Sequence, residues 1–223
     1  GSDFDVRGDL VLRRPYSEEE AKRVFAAPPL RMVKERSNRR LWLADAKTFV
    51  KEGAPTIWRH AFALETRAIP TPRLFAVQGD RVAGEWIEGA LPLWDHFKSR
   101  GVSRDSLHRL ARLVRRMHQR GVYHRDLKAN NLLVRGDDVW VIDLDRVDFL
   151  REVPRDARVW NLAQLNAAVG PPVTKTDRLR FFFAYAGRER SVRMTWKEWA
   201  KEVMRETRLR KHVWPKPEEA SGI

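Results

Sequence analysis

The run from Tyr123 to Asp143 limits what this chain can fold into more than any other stretch. His124, Arg125, Asp126, Leu127 and Lys128 stand in a row, Asn131 follows, and Leu132, Leu133 and Val134 make a short apolar strand leaving the loop. Gly136, Asp137 and Asp138 are hairpin-turn residues. Val139 to Ile142 is a second apolar strand, and it ends in Asp143. The pattern predicts two paired strands that fix Asn131 at one end and place Asp143 opposite it. Asp is common in turns, so either acid alone could be turn filling. Six specified residues in eight, followed by a second acid at strand distance, argue against that.

Phosphoryl transfer from ATP needs an acceptor for the nucleophile's proton, a cation near the moving group and oxygen ligands for magnesium. Asp126 would take the hydroxyl proton, Lys128 would neutralise charge on the phosphoryl group, and Asn131 and Asp143 would hold the metal. Magnesium takes few protein oxygens and completes its shell with phosphate and water. The stretch therefore reads as the catalytic loop of a protein-kinase-like enzyme. His124 suits a structural hydrogen-bonder behind the loop, and Arg125 suits a shape-holding role as well as a ligand contact.

The remaining sequence predicts an α+β, two-lobed protein-kinase-like fold. Ser17 and Glu20 form a capping box opening a short helix over 17–25. Strands are expected over 30–36, 39–44 and 47–51, a helix over 56–67, and strands over 73–77 and 81–86. Gly89 to Pro92 marks a break. Further helices are expected over 103–120, 177–186 and 195–212. The layout is a small N-lobe, residues 1–88, with an antiparallel sheet of five strands and one helix for binding nucleotide. A mainly helical C-lobe, residues 89–223, would carry the catalytic loop, the metal site and the acceptor.

Lys51 ends the third strand, where a lysine can reach the α- and β-phosphates. Glu65, on the following helix, is the chosen carboxylate partner over Glu52, which would point the other way. Glu85 and Ile87 flank Trp86 where an adenine-binding hinge belongs, and their backbone groups would bond the base edge. The loop from Glu35 to Arg40 contains no glycine, so either arginines there do part of the work of the usual backbone cover of the phosphates or the loop sits further from them.

Hydrophobic residues make up 43% of the 223, enough for a globular core. Cysteine is absent, which excludes disulfides and cysteine-based zinc sites. The net charge of +14 favours anionic partners, with a merely solvated basic surface as the plain alternative. Over 195–212, Trp196, Trp199, Ala200 and Val203 share one face and Arg205, Arg208, Arg210 and Lys211 cluster at the end. That pattern suits either an interfacial anchor or a helix packed on its lobe with cations at its C-terminal dipole.

Three segments carry a resemblance to a family. The second acid lies in Ile142-Asp143-Leu144-Asp145-Arg146, which is similar to the Asp-aromatic-Asp-Arg of the lipopolysaccharide core kinases, the Kdo and heptose kinases. Asn161 to Leu165 resembles that family's Asn-Leu-x-x-Leu, and Ile69 to Pro72 its Ile-Pro-Thr-Pro turn. The resemblance implies an ATP- and magnesium-dependent kinase acting on a sugar hydroxyl of an anionic glycolipid or sugar acceptor. It also implies a cytoplasmic enzyme, peripheral at the inner face of the inner membrane, with an anionic membrane surface as a further partner. A small atypical kinase or ATPase of the RIO/Bud32 type is the alternative, and nucleic acid is a partner only under it. A nucleotide-binding module without turnover is a third reading. The short span from Asp143 to Asn161 lacks Ala-Pro-Glu, which argues against a regulated peptide kinase.

Overall fold

The computed structural model describes residues 3–53 and 56–210. The chain forms two compact units, one ending at Gly89 and one beginning at Ala90. In the first unit the strands are β1 (Phe4–Arg7), β2 (Leu10–Arg13), β3 (Arg31–Arg36), β4 (Arg39–Asp45), β5 (Thr48–Glu52), β6 (Leu74–Gln78) and β7 (Arg81–Glu85). They make one antiparallel sheet in the order β1-β2-β6-β7-β5-β4-β3. The helices are α1 (Glu18–Ala26) and α2 (Ile57–Glu65). The sheet thus has two strands more than the five expected, while both helices fall where the sequence predicts helices, over 17–25 and 56–67. The added hairpin, β1 and β2, turns at Gly8, whose φ of 64° suits a residue without Cβ.

Why α1 forms and stays is visible in its ends and its inner face. The Ser17 hydroxyl accepts from the Glu20 N–H, and the Glu20 carboxylate accepts from the Ser17 N–H at 2.7 Å. Three glutamates in the first turn complement the helix dipole. Ala21, Val24 and Phe25 then bury against Leu10, Leu12, Trp42, Val50 and Phe75 of the sheet. Each such side chain stabilises the fold by roughly 1.5–3 kcal/mol relative to exposure if it is large.

The second unit holds β8 (Leu91–Pro92), α3 (Leu93–Arg100), α4 (Arg104–Gln119), β9 (Val122–His124), β10 (Leu132–Arg135), β11 (Asp138–Val141) and β12 (Val147–Phe149). They are followed by α5 (Arg155–Ala168), α6 (Lys175–Ala186), α7 (Arg190–Met194) and α8 (Trp196–Arg208). β10 pairs with β11 and β8, and β9 pairs with β12, all antiparallel. Leu107, Leu110, Val114 and Met117 of α4 are buried on one face, as their spacing predicts. α3, α5 and α7 are additions to the helices expected from the sequence. The far end of the expected helix over 195–212, including Lys211, lies outside the described residues.

Candidate active site

The loop between β9 and β10 brings Asp126, Lys128 and Asn131 together. Lys128 Nζ lies 2.8 Å from Asp126 Oδ2. Asn131 Nδ2 donates to the Asp126 carbonyl oxygen at 2.8 Å and lies 3.4 Å from its Oδ2. With the amide nitrogen so committed, Asn131 Oδ1 is the end that can face a cation. Asn131 is itself buried, so a polar side chain is held there by these bonds. The β10–β11 register corrects one expectation. Leu132 pairs with Val141, and the Ile142 N–H bonds the Asn131 carbonyl at 3.0 Å. Ile142, not Asp143, therefore stands opposite Asn131, and Asp143 comes one step later.

Asp143 adopts φ 60° and ψ 51°, a left-handed conformation that costs an ordinary L-residue roughly 1–2 kcal/mol. The turn of chain after it, Leu144–Arg146, leads directly into β12. Such strain concentrates at functional positions. Among the described residues no three His, Asp or Glu side chains gather to cage a metal. Asn131 and Asp143 would supply an amide and a carboxylate oxygen, the hard donors that suit magnesium when phosphate provides the rest.

The loop is shaped from behind. His124 is fully buried, and its Nε2 lies 3.1 Å from the Ile142 carbonyl. Its Nδ1 accepts from the Asp126 N–H at 3.1 Å, which makes Nε2 the protonated nitrogen. Burial lowers the pKa of this ring, keeping it neutral. Arg125 turns outward to a two-pronged contact with Asp148 at 2.6 and 2.7 Å, and its N–H bonds the Arg146 carbonyl. That is a shape-holding arrangement for Arg125.

The inner face of α5, to which the sequence pattern assigns no role, grips the loop. Asn161 Nδ2 donates to the His124 carbonyl at 2.6 Å and to Gln164 Oε1 at 3.0 Å. Gln164 Nε2 donates to the Arg125 carbonyl at 2.6 Å, and its Oε1 accepts from the Leu127 N–H at 3.1 Å. Both amides are buried. Behind them His118 contacts Asn161 Oδ1 at 3.1 Å and the Tyr185 hydroxyl at 2.8 Å. Arg158 Nε donates to that hydroxyl at 2.7 Å and pairs through its other nitrogens with Glu189. The donors run one way: Arg158 to Tyr185, Tyr185 to His118, His118 to Asn161, Asn161 and Gln164 to the loop carbonyls. Burial pushes the His118 pKa down to about 4, so it is neutral and suited to one donor and one acceptor role.

In the first unit Lys51 is half-buried on β5, paired in register with Leu41 and Val82. The Glu65 carboxylate at the end of α2 is gripped by both terminal nitrogens of Arg13, one at 2.9 Å. This partly buried ion pair joins α2 to β2, a contact across 52 residues of sequence. Glu52 bonds Arg40 Nε at 2.6 Å. At the segment after β7, the Glu85 N–H bonds the Arg73 carbonyl and the Trp86 N–H bonds the Lys47 carbonyl. The Glu85 N–H is thus occupied, leaving its carbonyl as the group that can meet a base edge. Among the described residues the N–H of the buried Ile87 meets no backbone acceptor. The Arg31 guanidinium lies 5.8 Å from the Trp86 ring centroid.

The aromatic face of α8 is turned into the fold. Trp199 is buried against Phe182 and Tyr185, with Arg155 and Arg158 each 5.1 Å from its ring centroid. Trp196 meets Phe183. Both tryptophans thus pack on the lobe. Among the described residues no helix is long and apolar enough to cross a membrane. An apolar cavity of about 580 Å³ lies among α3, α4, α5, α6 and α8, lined by Phe97, Leu110, Leu162, Phe182, Val203 and Met204 among others.

A twisted antiparallel sheet unit, a helical unit and an Asp-Lys-Asn loop backed by buried amides define a protein-kinase-like phosphotransferase. The model of the Lipopolysaccharide kinase (Kdo/WaaP) family matches residues 47–185, more than half of the chain. The chain belongs to that family, and a kinase family implies use of ATP. A search of curated proteins finds no match. Among solved structures, WaaP in complex with acyl carrier protein aligns with TM-score 0.66 at 24% identity, over 92% of this chain and 100% of that one. A choline/ethanolamine kinase family protein from Mesorhizobium loti aligns with TM-score 0.57 at 13% identity, over 91% and 96%. The ternary complex of streptomycin, ATP and APH(2")-IIa aligns with TM-score 0.54 at 12% identity, over 83% and 88%. At these identities the likeness is one of fold.

Proposed function

We propose that this chain transfers the γ-phosphoryl group of ATP to a sugar hydroxyl of the lipopolysaccharide inner core, on Kdo or heptose, with magnesium. The observation that carries the reading is the loop in which Asp126, Lys128 and Asn131 share one hydrogen-bonded cluster. Asp126 accepts the proton of the attacking hydroxyl. Lys128, now paired with Asp126, swings to the transferred group as its charge spreads over the equatorial oxygens. Asn131 and Asp143 hold the magnesium, which neutralises the phosphates when bound. Lys51 approaches the α- and β-phosphates, Glu65 steadies the first unit, and backbone groups of Glu85 and Ile87 meet the adenine. On this reading the first unit binds nucleotide and the second does the chemistry.

The net charge of +14 supports an anionic acceptor and an anionic membrane surface, since a basic field draws both. The WaaP structure contains acyl carrier protein, and we take over such a carrier as a candidate partner, to be sought by co-purification. Transfer of labelled phosphate from ATP to delipidated core oligosaccharide or to Kdo is the test, with Asp126→Ala abolishing it. ATP hydrolysis or autophosphorylation without transfer to sugar would favour the atypical protein kinase instead. Nucleotide binding with no turnover would leave only a binding module.

A further inference from the structure

The pairing of β3, β4 and β5 sorts their side chains onto two faces, because residues directly opposite each other share a face. Trp42 and Val50 stand opposite each other and pack with Ala21, Val24 and Phe25 of α1. Leu41 and Lys51, also opposite each other, therefore project from the other face. On β3, Lys34 stands opposite Leu41, and Arg36 stands opposite Arg39. Lys34, Arg36, Arg39 and Lys51 thus share the face turned away from α1. Alternation alone would put Lys34 with Met32, on the face of Trp42. The register shifts between Met32 and Lys34, and that bulge turns Lys34 to the side of Lys51. Bulges that re-aim a side chain collect beside active sites.

Charge is segregated between the two faces. Glu35 stands opposite Arg40, and Arg40 opposite Glu52, whose carboxylate accepts from Arg40 Nε at 2.6 Å. That row lies on the face of α1 and balances itself. Neither glutamate shares the face of Lys34, Arg36, Arg39 and Lys51. Arg36 and Arg39, both exposed, oppose each other directly at the tip of the hairpin, and like charges so placed destabilise a sheet. An anion lying on that face offsets the repulsion. On the reading above, magnesium, Lys51 and Lys128 already meet the phosphates of ATP. The molecule that lies beside those phosphates when they react is the acceptor.

We propose that Lys34, Arg36 and Arg39 form an anion-binding strip that takes an acidic substituent of the acceptor, a phosphate or a carboxylate, alongside the nucleotide. The proposal rests on the sugar-kinase reading and deepens it, because it assigns the choice of acidic over neutral acceptors to the β3–β4 hairpin. Each guanidinium fork can grip two oxygens of one anion, and the lysine adds a point charge. Lys34 and Lys51 stand about 10 Å apart across β4, two strand spacings. Their long side chains can therefore serve neighbouring anions on one face.

The test needs no catalysis. Glucose 6-phosphate, glucuronate and glucose are titrated by saturation-transfer NMR into the full chain saturated with magnesium and AMP-PNP, in wild type and in a Lys34→Gln, Arg36→Gln double variant. At least one acidic sugar should bind about tenfold or more weakly in the variant, the loss of one charge-assisted contact, with glucose unmoved. Loss for glucuronate alone names a carboxylate, and loss for glucose 6-phosphate alone names a phosphate. Arg36→Gln by itself should melt no lower than wild type, since it removes a like-charge pair, and should still lose acidic-sugar affinity. Lower melting with unchanged binding would make Arg36 structural and overturn the proposal. Equal binding of acidic sugars by wild type and double variant overturns it, as does a wild type that binds neither. A fall in AMP-PNP affinity with acidic sugars unmoved gives the strip to the nucleotide's own phosphates and overturns it too. If core-sugar phosphorylation proceeds with unchanged KM in the double variant, the strip falls and the kinase reading stands. If transfer fails in wild type while acidic-sugar binding still depends on Lys34 and Arg36, the kinase reading falls and the anion site stands.

Discussion

Acidification should weaken this fold through one buried ring. His118 sits at the middle of the hydrogen-bonded line from Arg158 to the catalytic loop, with its pKa lowered from 6.5 to about 4 chiefly by burial. The hydrogen bond to Asn161 opposes that shift and the Arg158 charge adds to it. Because the folded pKa lies below the unfolded one, the unfolded chain binds the extra proton between those two values, and stability falls as pH falls through that window. Moving from pH 7 to pH 5 covers most of it and should cost about 2 kcal/mol from this residue alone. The assay is urea unfolding by tryptophan fluorescence at both pH values, in wild type and in His118→Gln. The glutamine amide can still donate to Asn161 Oδ1 and accept from Tyr185, but it does not titrate. Other acid-sensitive groups, including His124, are common to both proteins and cancel in the difference. Wild type should lose about 2 kcal/mol more than the variant. Equal losses would refute the placement of a neutral His118 in this network.

Asp143→Asn should abolish magnesium-dependent transfer with the circular dichroism spectrum unchanged, and wild-type turnover would remove the metal role. Asp143→Gly should be equally inactive yet melt no lower, because glycine relieves about 1 kcal/mol of left-handed strain. Gly121→Ala should destabilise by roughly 2–3 kcal/mol in urea unfolding, since φ is 70° and an added Cβ would lie 1.9 Å from the Leu150 carbonyl oxygen. Glu65→Gln should lower stability by about 1–3 kcal/mol through the Arg13 contact. If it also weakens ATP binding in a nucleotide titration, Glu65 serves the phosphates as well.

The catalytic loop is readable in the sequence because its residue types are dictated by chemistry and lie within one short stretch. Ser17 with Glu20 and Ser103 at the start of α4 are readable because capping is a local event. What escapes a sequence reading is set by distance or by buried polarity. Glu65 meets Arg13 across 52 residues, a partnership no spacing rule suggests. α5 buries Asn161 and Gln164 alongside Val159, Leu162 and Leu165, so its inward face is not apolar and its periodicity is blurred. The β1–β2 hairpin is two four-residue strands, the first with no buried residue, and strands that short leave little alternation to detect in the sequence. The residue facing Asn131 differs by one from the expected partner because a strand pattern gives the period of pairing without its phase.

Asn161 and Gln164 occupy adjacent turns of one helix, and together they hold three links of the reactive loop, at His124, Arg125 and Leu127. A helix turns by about 100° per residue, so adding or deleting a single residue between these two amides would swing one of them off its target. Drift in sequence can therefore alter the outer side of α5 freely. Its length between those positions is frozen, and homologues should vary there by substitution and never by insertion.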